Sequence, residues 1–374
     1  MSKGENMELE KLLELPLGKR WLEMAQMEKS ISSSVDLSRA KEIKITDETY
    51  LEAQSKGVSI SELLETPEYD PTPVGSPLDA FERQLAVHNI RVSGKNPSTV
   101  ELFYQGAPAL LPEFMLREVR NGMRMRTGLE KIVASSSVVN TSRYTPFFVN
   151  VTPTSSKLSL RPIGDLAEAP TVSVAEQQHS ILVPDYGMTL KASYKALRYR
   201  TTAQFKVLLW YIGYRLQVDK IGLIVNTIIN GDGNNNSATV INTAVTGTLS
   251  YTDLVTFWNE FFPFEMNVIL AHKDKIKTIL TMAEFKDPLA GFKFQATGEL
   301  VSPLGSTLIR SDEVPTDLLI GLDNRFAIEE VVSQPLMIEY DKVIEQKLEE
   351  AVVSESVAYA KIIKEGSLIL DSVW

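Results

Sequence analysis

The 374-residue chain has no cysteine and only three histidines, His88, His179 and His272. Without cysteine there is no disulfide, thiolate zinc site, iron–sulfur cluster or cysteine nucleophile. The histidines leave little for metal or triad chemistry. His88 lies in a helical stretch beside Val87, His179 follows two glutamines, and His272 stands at a helix start, so each reads as packed or solvated. No apolar run is long enough to cross a bilayer: the best, Phe205–Ile229, carries Lys206, Arg215, Asp219 and Lys220, where a span needs about 20 residues nearly free of charge. The start, MSKGENMELEKLL, has acids every few residues and is no secretory signal. G-x-x-x-x-G-K-[ST], G-x-G-x-x-G, G-x-S-x-G and H-E-x-x-H are all missing, so phosphate-cradle, hydrolase-elbow and zincin readings have no anchor. An enzyme with a dispersed site stays open as a rival, because folding can assemble a triad from distant residues. No cofactor and no metal site are expected.

What is present is an ordinary globular composition, 44% hydrophobic and 23% charged, with length for roughly two to three domain-sized units. The net charge of −10 argues against a protein whose main task is to coat nucleic-acid phosphates. Residues 1–65 read as a helical N-terminal module, with Leu9, Leu12, Leu13, Trp21, Leu22 and Met24 able to form an apolar face. Thr66–Pro77 holds four prolines and one glycine in twelve residues and reads as a linker. Residues 78–143 are helix-prone and end in an arm of alternating arginine and apolar residues. Residues 144–194 switch to period two, rich in Thr, Ser and Val, which predicts two long strands returning on each other. Such a ribbon has too little apolar surface to stand alone and must lie on something else, with a partner subunit the natural candidate.

The clearest helix is predicted over 202–230. Val207, Tyr211, Tyr214, Val218, Ile221, Val225 and Ile228 recur at alternating spacings of four and three, and Leu208, Leu209, Ile212, Leu216, Leu223 and Ile224 widen the apolar girth. At 1.5 Å per residue it is roughly 40 Å long. It stops at Asn230, Gly231, Asp232 and Gly233, residues that tolerate left-handed dihedrals. The same NGDGNNN run fails as a calcium loop. With Asp232 as first ligand, the sixth place is Ser237 instead of glycine and the twelfth is Thr243 instead of glutamate. Residues 234–333 read as a mixed α+β body and 334–374 as strands.

Two charge patterns stand out. Tyr186–Val218 contains six bases, Lys191, Lys195, Arg198, Arg200, Lys206 and Arg215, and no acid. It reads either as a face turned to a polyanion or a subunit interface, or as a surface pairing with Glu329–Asp371, which holds ten acids and four bases. The cluster Arg117, Arg120, Arg124, Arg126 and Lys131 has acids interspersed and reads as inter-chain salt bridging.

Taken in order, the arm with LLPEFMLREVRNGM, the ribbon, the long helix ending in IINGDG, the α+β body and a closing QKLEEAVVSESVAYAKI resemble the tailed-bacteriophage major capsid protein of the Johnson fold, the Hong Kong-type phage capsid fold. The resemblance covers about Pro77 to Trp374. It implies an α+β fold with an N-arm and start of the peripheral domain at 78–143, and an extended E-loop at 144–194. It further implies a peripheral domain at 195–233 with the spine helix at 202–230, an axial domain at 234–333 and peripheral-domain strands at 334–374. It implies a non-enzymatic shell subunit that self-assembles as hexamers and pentamers into an icosahedral head and encloses double-stranded DNA, in a virion assembled in the host cytoplasm. Portal protein, scaffold or maturation protease, and a decoration protein are the partners it implies, with no membrane. Residues 1–76 would be a scaffolding segment cut off on maturation or a retained stabilising element. Some relatives crosslink a lysine to an asparagine of another subunit; Lys157 or Lys191 would be the place to look, but no acceptor is assigned. The nearest rival is an encapsulin-like nanocompartment shell, which shares the fold; a tail or portal-ring component is a further one.

Overall fold

In a computed structural model, the described residues are 42–73, 76, 78–94, 96–126, 128–149, 165, 174–193, 196, 199–285, 303–343, 345 and 348–374. Most of the expected N-terminal module, most of the ribbon, and Lys157, Lys195 and Arg198 lie outside them. The chain divides into two compact units. Unit 1 draws on Met1–Gly122, Thr189–Ile212 and Ile338–Val353; unit 2 on Met123–Met188, Gly213–Met337 and Ser354–Trp374.

Unit 1 contains helices α1 (Asp47–Lys56), α2 (Ile60–Leu64), α3 (Ala80–Val87), α4 (Val100–Gly106) and α5 (Leu111–Arg124). Local chemistry sets their starts. Ser59 and Asp79 each accept the backbone N–H three residues on, and Glu62 and Glu82 reach back to the cap N–H, so donors that lack helical partners are satisfied in reciprocal pairs. Ile60, Leu63 and Leu64 of α2 are buried with Phe81, Phe103, Phe114 and Met115. The rings of Phe103 and Phe114 stack at 5.2 Å.

The Pro-rich run read as a linker is pinned to this unit. Arg83, 6% exposed, donates to the Asp70 carboxylate (3.1 Å) and carbonyl (2.6 Å) and to the Leu78 carbonyl (2.9 Å). Glu65 accepts the N–H groups of Thr72 and Ala80, both at 2.7 Å. Upstream, Ser61 donates to the buried Glu113 at 2.5 Å. Proline removes backbone donors and so excludes regular structure, but a buried guanidinium can still gather the carbonyls it leaves. Residues 42–73 therefore help build the core of unit 1.

The long helix α6 spans Thr202–Asn230, and the boundary between the units cuts it. Its apolar stripe is not buried throughout. Phe205, Leu209 and Ile212 are buried in the first half, whereas Val207 (58%), Tyr211 (64%) and Tyr214 (40%) are exposed; beyond them Val218, Ile221, Val225 and Ile228 are buried. Within unit 1, α5 approaches α6 at Gly122, where a Cβ would lie 2.6 Å from Trp210 Cα. No side chain fits against backbone at that range.

Unit 2 is organised on a five-stranded sheet of β7 (Thr239–Asn242), β8 (Val268–Ala271), β9 (Thr307–Arg310), β10 (Leu318–Leu322) and β13 (Ser367–Asp371), in the order β7-β13-β10-β8-β9. The outer pairs, β7 with β13 and β8 with β9, are parallel; the inner pairs are antiparallel. Alternate residues enter two separate cores. Val268, Leu270, Ile320, Leu322 and Ile369 join Ile221, Ile224, Val225 and Ile228 of α6. Ile269, Ala271, Leu319, Leu368 and Leu370 join Leu254, Phe257 and Phe261 from and just after α7 (Tyr251–Asn259) and Ile276 and Ile279 of α8 (Lys273–Thr281). A sheet covered on both faces explains why its central strands read as unbroken apolar runs.

A four-stranded sheet has the order β1-β11-β12-β6, from β1 (Ser135–Val138), β6 (Asp185–Ser193), β11 (Ile328–Val343) and β12 (Leu348–Lys361). The segment 334–374, read as one set of strands, thus divides, because β13 lies between β7 and β10 in the other sheet. The described ends of the ribbon pair antiparallel: β2 (Arg143–Tyr144) with β5 (Ile181–Leu182), and β3 (Phe147–Val149) with β4 (Val174–Glu176).

Leu64→Ala is expected to lower stability by about 2–5 kcal/mol, read from the denaturant midpoint. A chain begun at Pro77 leaves Arg83 without Asp70 and Glu113 without Ser61; it is expected to lose cooperative unfolding, and a chain that keeps it contradicts the place of 42–73 in the core. Gly122→Ala is expected to cost at least as much as the leucine truncation, because the obstacle is backbone.

Candidate assembly surfaces

The described bases of Tyr186–Val218 do not form one open field. Lys191, on β6, lies 2.6 Å from Glu350 of β12, the pairing with the acidic C-terminal segment. Lys206 is enclosed: its side chain is 12% exposed, 3.4 Å from Glu118 and 5.5 Å from the centre of the Trp210 ring, whose N–H donates to the other Glu118 oxygen at 2.7 Å. Arg215 pairs one helical turn on with Asp219 at 3.3 Å. Arg200 is exposed just before α6, with its carbonyl accepting the Val100 N–H at 3.0 Å. Of the second cluster, Arg117 bonds Asp79 at 2.6 Å and covers the Phe81 ring, while Arg126 lies over Tyr214 and donates to the Arg310 carbonyl. The inter-chain bridging expected of these two arginines is an intrachain role instead, since each has found acid, ring or carbonyl within its own unit.

The helix stop has the geometry its residues imply. Gly231 (φ +81°) and Gly233 (φ +95°) take left-handed dihedrals, and the Gly231 N–H closes on the Thr227 carbonyl at 2.9 Å. Asp232 accepts the N–H of Asn234 with one oxygen and the N–H of Lys361 with the other. His272 caps α8 and His88 ends α3, both structural positions. Among the described residues no three histidine or carboxylate side chains gather as a metal site, and no helix is long and apolar enough to cross a membrane.

Sequence reasoning missed a buried ionic centre in unit 2. Lys220 of α6, 7% exposed, lies 2.6 Å from Glu355 of β12 and 3.6 Å from Glu330 of β11. Tyr359 donates to Glu330 at 3.1 Å; burial, reinforced by that carboxylate, pushes its phenol well above the usual range. The neighbouring Glu329 accepts from Ser137 of β1 at 2.5 Å and from Tyr144 of β2 at 3.1 Å. Burial and Glu329 push the Tyr144 phenol up to about 12. These residues join α6, β1, β2, β11 and β12 through groups 29 to 192 positions apart, so no local spacing marks them.

The described surface also exposes apolar side chains. Val207, Leu208, Tyr211 and Tyr214 form an exposed stripe on α6 at spacings of one, three and three. Phe262 (84%), Trp258 and Val255 are exposed on and after α7. Monomeric proteins rarely leave such rows uncovered.

No family profile and no curated protein sequence matches the chain. Its structure is similar to solved shells. The virus-like particle protein from Pyrococcus furiosus matches with a TM-score of 0.50 at 12% identity, covering 70% of this chain and 99% of that one. The capsid of a native GTA particle (TM-score 0.49, 14% identity) covers 66% and 90%. The holo-SrpI encapsulin complex from Synechococcus elongatus PCC 7942 (TM-score 0.46, 14% identity) covers 66% and 86%. The chain has the Johnson fold, the Hong Kong-type phage capsid fold, in α+β form.

Lys220→Met leaves two carboxylates facing each other without their cation. It is expected to cost about 3–5 kcal/mol in unfolding free energy, and adding Glu330→Gln and Glu355→Gln is expected to recover part of the loss.

Proposed function

We propose that this chain is the subunit of a closed protein shell, a major capsid protein that assembles as hexamers and pentamers into the icosahedral head of a tailed bacteriophage and encloses its double-stranded DNA. The observation that carries the reading is the shared fold, which accounts for nearly the whole of a virus-like-particle subunit. The exposed stripe on α6 and the antiparallel pairing of the ribbon's described ends, β3 with β4, support it. The stripe is left uncovered by the described residues, and repetition of the subunit about symmetry axes supplies the missing partner. The role is architectural, and Arg200 is an exposed base open to contact with packaged DNA. Portal, scaffold or protease, and decoration proteins are partners in this reading.

One observation favours a second reading, an encapsulin-like compartment without a genome. Lys191, Lys206 and Arg215 are paired with acids of their own chain, which leaves less positive charge to meet phosphate.

Electron microscopy of the purified chain after size exclusion tests the shell. Closed particles, or hexamers and pentamers, are expected; monomers at every concentration and with added scaffold refute it. Nuclease-protected double-stranded DNA inside the particles separates the head from the compartment. Replacing residues 150–173 with a two-residue turn joins β3 to β4 directly and is expected to leave a folded body that no longer closes shells. Normal shells from that variant would remove the ribbon from the assembly mechanism.

A further inference from the structure

The loop that ends α6 is built around charges the shell reading does not use. Lys361, at the end of β12, is 0% exposed, and its Nζ has no hydrogen-bond partner among the described residues. Its own backbone N–H donates to Asp232 Oδ2 at 3.1 Å. Asp232 in turn donates its N–H to Asn236 Oδ1 at 3.1 Å and accepts from Asn234 with Oδ1. Asn236 is 3% exposed, and its Nδ2 likewise has no partner; nor does the buried Oε2 of Glu365, in the turn after β12. Three buried polar atoms without partners thus lie on the loop, the end of β12 and the turn after it, and the Asp232 carboxylate joins the loop to the strand. A buried ammonium without a hydrogen bond is among the costliest groups a fold can hold, so the closed loop favours the neutral amine.

We propose that the loop Gly231–Asn236 is a proton-operated latch on β12, which opens to solvent together with the uptake of a proton by Lys361.

The charged groups facing the amine are Asp232 from the loop and Lys364 and Glu365 from the turn. His179 meets the loop on its outer side, through its backbone N–H to Asn234 Oδ1 at 3.0 Å. Burial is the largest influence on Lys361; with the repulsion of Lys364 it outweighs the attraction of Asp232 and Glu365, lowering the amine to about 7. In the open loop the amine is solvated and titrates as an ordinary lysine, near 10.4. The open form therefore binds the extra proton between about pH 7 and 10, so the closed form gains stability as pH rises through that window.

Amide hydrogen exchange of residues 231–238 and 361 in the full chain, corrected for the intrinsic rate, reads the latch. The opening constant is expected to rise about tenfold for each unit of pH decrease between 10 and 7 and to level off below 7. Lys361→Met is expected to flatten that slope, and His179→Gln to leave it in place. An equal slope in Lys361→Met, or no slope in the parent chain, overturns the proposal. Should Lys361→Met fail to fold, the parent chain with carbon-13 at lysine Cε decides. One resonance titrating near 7 supports the latch, and ordinary titration of every lysine overturns it.

Discussion

The second half of α6 and the five-stranded sheet are held by one constraint: each needs the other to be covered. Ile221, Ile224, Val225 and Ile228 lie on one side of the helix, and the alternation of Val268 with Ile269, or Ile320 with Leu319, sends every second sheet residue toward them. Each such aliphatic side chain, fully buried, contributes about 1.5–3 kcal/mol, so this layer outweighs any single polar contact in the unit. The opposite face of the sheet has the same need and is met by α7 and α8. In the strand order, β13, which comes last in the chain, lies inside the sheet between β7 and β10.

Charge is arranged on top of that framework. Lys220 projects from the same helix toward β11 and β12, where two glutamates neutralise it; Arg83 does the corresponding work in unit 1 by collecting the carbonyls of an irregular segment. The placement explains how a chain of net charge −10 carries a run of six bases without an acid among them. The acids lie elsewhere in sequence and are brought to Lys191 and Lys206 by folding. Of the described bases in that run, Lys191, Lys206 and Arg215 are paired with acids of the same chain.

Apolar residues show the reverse. Val207, Tyr211 and Tyr214 continue the heptad-like spacing of Val218, Ile221 and Val225, yet they face outward. The described residues of the chain leave all three without cover.

Helix α6 and its stop at Gly231 were legible from the sequence because they rest on local rules: 3.6-residue periodicity and left-handed glycine. The order of elements was legible for the same reason, and with it the resemblance. The fate of Thr66–Pro77 was not, because proline reports only what the backbone avoids and says nothing of which arginine it meets. Nor were the Lys220 centre and the buried Lys361, whose partners are set by long-range contacts with no characteristic spacing. Local composition dictated which segments became helix or strand. Burial, which depends on what the rest of the chain brings near, determined which bases were neutralised, which apolar residues of the long helix stayed exposed and where an amine was left without a partner.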